Sequence, residues 1–78
     1  MMILTVTKED IENGVRFEST ECPVSLALSR KLGKMIIVEP GTWYGFGEAP
    51  NSLPRSVKRF VKSFDNGKPV KPDWFIFW

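Results

Sequence analysis

The chain has 78 residues, 42% hydrophobic and 13% aromatic, which is the composition of one small folded domain (1–78) and not of a disordered tail. With no histidine and one cysteine, a Ser-His-Asp triad, imidazole acid–base chemistry and an internal disulfide are excluded within one chain, and zinc loses its usual ligands. A net charge of +2 is too small to signal nucleic acid by itself, so the placement of charge matters more than its sum.

Residues 1–6 read as a strand, with Ile3 and Thr5 alternating against Leu4 and Val6. Thr7 and Asp10 have capping-box spacing, so residues 8–13 are expected as a short helix stopped by Gly14. Residues 15–19 are ambiguous, a brief extended piece expected to bring Phe17 into the core. Thr20 or Cys22 can cap the next helix, because Pro23 fits only a first turn, where its missing N–H loses no partner. Val24, Ala27, Leu28 and Leu32 give that helix a buried side up to Gly33, with Ser25, Ser29, Arg30 and Lys31 expected to face water. Residues 35–39 and 42–46 read as a hairpin around Pro40-Gly41, a type II turn signal, and residues 48–51 as a loop.

Ser52 is expected to cap a third helix with Pro54 in its first turn and Gly67 beyond its end. Leu53, Val57, Phe60, Val61 and Phe64 form one stripe of a 3.6-residue period that must cover a sheet. Residues 74–78 read as a strand apolar on both faces, one of which must meet this helix. The order predicts an α+β fold: a small sheet of about four strands, two main helices and one short helix, mostly on one face. No window approaches the roughly 18 apolar residues that span a bilayer, and the amino terminus lacks a signal-peptide pattern, so the expectation is a soluble, cytoplasmic protein without membrane contact.

Four residues or groups stand out chemically. Arg55, Lys58, Arg59 and Lys62 form a basic stripe without an intervening acid, suited either to phosphates or to plain solvation. Trp43, Tyr44 and Phe46 stand on a glycine-containing arm, where a ring either stacks on a base or fills the core. Trp74, Ile76 and Trp78 share one strand face, opposite Phe75 and Phe77, and are expected to form an oligomer interface, because a monomer would leave that face in water. Cys22 sits at a helix start that favours the thiolate, but no histidine is present to act as a base, so a small buried residue is the simpler reading. The carboxylates are scattered, and Asp65 is expected to bond turn amides beyond the third helix. No catalytic residue, cofactor or metal site is expected.

Cys22-Pro23-Val24 and Ala27-Leu28, followed by Leu53-Pro54, Val57, Phe60, Phe64-Asp65, Gly67, Pro69-Val70 and Pro72, make a pattern that resembles small accessory proteins of phages and prophages. These carry a Cys-Pro-(Val or Ile) helix start and a Phe-Asp-x-Gly-x-Pro-Val connector. The resemblance implies a phage gene product working in the host cytoplasm, from a class containing many inhibitors of host defence that act by binding. The expected function is therefore a non-enzymatic homo-oligomer that sequesters a nucleotide-type immune signal or occludes an immune protein. A phosphate would lie against Arg55, Lys58, Arg59 or Lys62 and a base against Trp43 or Tyr44, at a subunit junction. The alternatives are a nucleic-acid-binding regulator using the basic helix 52–66, and a module whose last strand extends a partner's sheet.

Overall fold

The computed structural model describes residues 1–77. In chain order the elements are β1 (Met2–Val6), α1 (Lys8–Asn13), α2 (Pro23–Leu32), β2 (Ile36–Glu39), β3 (Thr42–Gly45), β4 (Asn51–Ser52), α3 (Arg55–Asp65) and β5 (Asp73–Phe77). The fold is α+β with three helices. Its strands divide into two antiparallel sheets, β1–β5 and β2–β3–β4, where the sequence suggested a single sheet. α2 packs against β1 of one sheet and β2 of the other, and the apolar side that joins them is the expected Val24, Ala27 and Leu28. Leu32, on the same stripe, is left at the surface because the helix ends at Gly33, which adopts the left-handed conformation of a C-cap.

Ser25 corrects one expectation: it is fully buried, not solvated. Its hydroxyl donates to the Ile36 carbonyl at 2.6 Å, Ser29 Oγ accepts from Ile36 N at 3.0 Å, and Val38 N donates to the Ser19 carbonyl at 2.8 Å. On the side of β2 that has no strand partner, Ile36 N, the Ile36 carbonyl and Val38 N are thus satisfied by α2 and the segment before it. Arg30 is exposed as expected, and from there its guanidinium reaches back to Asp10.

Ahead of α1 the capping box forms as expected: Asp10 N donates to Thr7 Oγ1 at 3.2 Å and Thr7 N donates to Asp10 Oδ2 at 2.9 Å. α3 starts differently. Ser52 is drawn into β4 opposite Thr42, so Pro54 occupies the N-cap position and no side chain caps the helix. Val57 is fully buried and Phe60 meets Phe75 edge to face, with ring centroids 5.5 Å apart. This is the expected cover of the last strand by the apolar stripe, and β5 turns Phe75 and Phe77 inward. The two sheets touch where Trp43 meets Phe77, again edge to face, at 6.0 Å.

Candidate functional site

The segment between α1 and α2 is tied to itself by hydrogen bonds from Val15 N to the Glu21 carbonyl at 2.8 Å and from Cys22 N to the Glu18 carbonyl at 3.0 Å. Within it Phe17 has φ of 63°, the only positive value on a non-glycine residue among those described, and the residue is 74% exposed. A bulky side chain in that region is strained unless its surroundings impose it. Here the imposition comes from α3, because Phe17 N donates to Asp65 Oδ1 at 3.0 Å. Two expectations are corrected together: Phe17 does not enter the core, and Asp65 bonds a residue far back in the chain instead of the turn that follows it.

The displayed ring forms one wall of a cavity of about 370 Å³. Leu53, Val61 and the Pro40-Gly41 turn supply apolar surface, and α3 contributes Lys58, Lys62, Asp65 and, at its C-cap, Asn66. Gly41 takes the positive φ of 86° that a type II turn needs. A Cβ there would lie 3.9 Å from Lys58 Cε, so the lysine stem runs across the turn while its ammonium group stays exposed. A smaller cavity of about 140 Å³ shares Phe17, Pro40, Val61 and Asp65 with the first and adds Glu18, Glu39 and Cys22.

The basic stripe is exposed along its whole length, but α3 sends it to different places. Lys58 and Lys62 line the Phe17 cavity, Arg55 lies in a groove with Trp74, and Arg59 lies in another with Phe60 and Lys71. Of the expected aromatic partners, Trp43 is half-buried against the core and Tyr44 donates its hydroxyl to the Glu39 carboxylate, which pushes the phenol pKa up. Neither lines the cavity with the lysines. The aromatic residue that does is Phe17, for which the sequence carried only one signal, a phenylalanine between polar neighbours ahead of a proline-started helix.

Cys22 is buried and its Sγ caps α2 by accepting from Ser25 N at 3.4 Å. Burial pushes its thiol pKa up, against the lowering expected from a helix start. Trp74 is 60% exposed and Ile76 half-buried on the outer face of the β1–β5 sheet, opposite Thr5 and the exposed Ile3. Trp78, expected on the same face, lies outside the described residues. Among the described residues, no helix is long and apolar enough to cross a membrane, and no group of three or more His, Cys, Asp or Glu side chains could hold a metal ion. Compared with protein-family models, with curated proteins and with solved structures, the chain matches none.

Proposed function

We propose that this chain is a non-enzymatic, phage-type binding protein that antagonises a host defence by sequestering a nucleotide-type immune signal in the Phe17 cavity. The observation that carries this reading is the meeting of an exposed ring, an apolar floor and two lysines around about 370 Å³, a volume within the usual range of small-molecule sites. Two ammonium groups one helical turn apart complement a phosphate, and a ring held at the surface offers a stacking face worth roughly 1–3 kcal/mol per base. The phage and host-defence parts rest on the sequence pattern of Cys22-Pro23-Val24 and Phe64-Asp65. Occlusion of an immune protein is the other form of the same binding role.

Lys58→Glu with Lys62→Glu is expected to abolish nucleotide binding in a calorimetric titration, with the thermal midpoint almost unchanged because both side chains are exposed. Retained binding removes the cavity from the proposal. The nucleic-acid alternative is favoured by Arg55 and Arg59, which put further cations on the other flank of α3. It predicts retardation of a duplex that fades with salt and is lost equally when those arginines are reversed. A nucleotide-sequestering protein keeps its ligand in that second variant.

Self-association through the outer face of β1–β5 is part of the same proposal, because Ile3 and Trp74 leave an apolar patch in water. Light scattering is expected to give more than one chain per particle, and Trp74→Glu to return the mass to that of a monomer. A monomeric unsubstituted protein sinks this part.

A further inference from the structure

The Phe17 cavity carries charge of both signs. Lys58, Lys62 and Asp65 line the larger cavity, and Asp65 also lines the smaller one, together with Glu18 and Glu39. Phe17 belongs to both, so one ring borders the lysines and the carboxylates. A ligand that suits this arrangement is anionic at one end, flat in the middle and rich in hydrogen-bond donors at the other. The carboxylates are spread too widely to hold a metal ion, which leaves donor groups of an organic ligand as their natural partners.

We infer that the ligand is a guanine nucleotide, with its phosphate between Lys58 and Lys62 and the N1–H and N2–H edge of its base on the carboxylates around Phe17. This assignment rests on the cavity being a nucleotide site. Among the bases, guanine alone presents two donors side by side, and an ionised carboxylate is an acceptor with two oxygens in matching positions. Adenine and cytosine place a ring acceptor beside the amino group, and uracil flanks its single N–H with carbonyl oxygens, so each would set an acceptor against a carboxylate. Asp65 Oδ1 already accepts from Phe17 N and Glu39 Oε1 from the Tyr44 hydroxyl, but each carboxylate has further acceptor sites.

The test is calorimetric titration of the intact protein with GMP, IMP, AMP and UMP. IMP differs from GMP only in lacking the N2 amino group, and losing hydrogen bonds to a charged acceptor is expected to weaken it by at least about tenfold, with AMP and UMP weaker still. Asp65→Asn retains a carbonyl oxygen for Phe17 N but can no longer accept two donors, so it is expected to remove most of the difference between GMP and IMP while the thermal midpoint holds. Tighter binding of a cyclic guanine dinucleotide than of GMP would identify the form of the ligand and support the same base contact. Equal binding of all four mononucleotides, lost in the Lys58→Glu, Lys62→Glu protein, would overturn the base contact and leave the nucleotide site standing. Failure of every nucleotide to bind at millimolar concentration would overturn both.

Discussion

Phe77→Ala is expected to destabilise the protein by about 3–5 kcal/mol, the usual cost of emptying a buried phenylalanine site. Phe77 is only 2% exposed and stands where the sheets touch, with its ring against the edge of Trp43. Removing it leaves a void that must be filled by moving one sheet against the other. In a chain of this size the loss approaches the whole stability of the fold, so a large fraction is expected to be unfolded without denaturant. Urea titration followed by circular dichroism checks it, with Phe77→Leu as the variant that retains most of the volume and much of the stability. An unshifted midpoint for the alanine variant would mean that the junction between the sheets contributes little.

Asp10→Asn is expected to cost about 2–3 kcal/mol, or roughly 10–20 °C in Tm for a domain of this length. Asp10 is buried, accepts from Arg30 Nη1 at 2.6 Å and Nη2 at 2.9 Å, and completes the capping box with Thr7. The Arg30 side chain is 55% exposed, so its charge can relax into water when the partner is lost, and the larger penalty of a stranded buried ion does not arise. Burial by itself raises the Asp10 pKa, but the hydrogen bonds from Arg30 and Thr7 outweigh it and hold the carboxyl below its usual range. A folded pKa below the unfolded one makes this contribution complete above about pH 4 and loses it as pH falls through the folded value. The stability gap between the unsubstituted protein and the variant is therefore expected at neutral pH and should close on acidification. A gap that stays constant to low pH would show that the carboxylate charge is not what the variant removed.

The helices were legible because their signals are local: the Thr7–Asp10 spacing, Pro23 at a first turn, Gly33 after the last apolar repeat, and the Val57–Phe60–Val61 stripe. The β2–β3 hairpin was legible too, from the Pro40-Gly41 turn, whereas the pairing of β1 with β5 was not, since it spans residues 2–77 and periodicity says nothing about distant pairing. Ser25 reads as a surface residue in any helical pattern, and only the approach of β2 makes it an interior donor. In the candidate site, the cations were visible in sequence and their division between flanks of α3 was not. Phe17 was the harder residue, because a positive φ on phenylalanine has no local cause: its backbone partner, Asp65, lies 48 residues away.

The register that sets Met2 opposite Phe77 also dictates an order of events during synthesis. β1 has no strand to pair with until β5 is made, although Leu4 and Val6 can already pack on α2, and α2 and the β2–β3 hairpin can form earlier from neighbouring residues. Until then the hydrogen-bonding edge of β1 is open to capture by chaperones or by other copies, and closure of β1 on β5 is the long-loop step, expected to be the slow one.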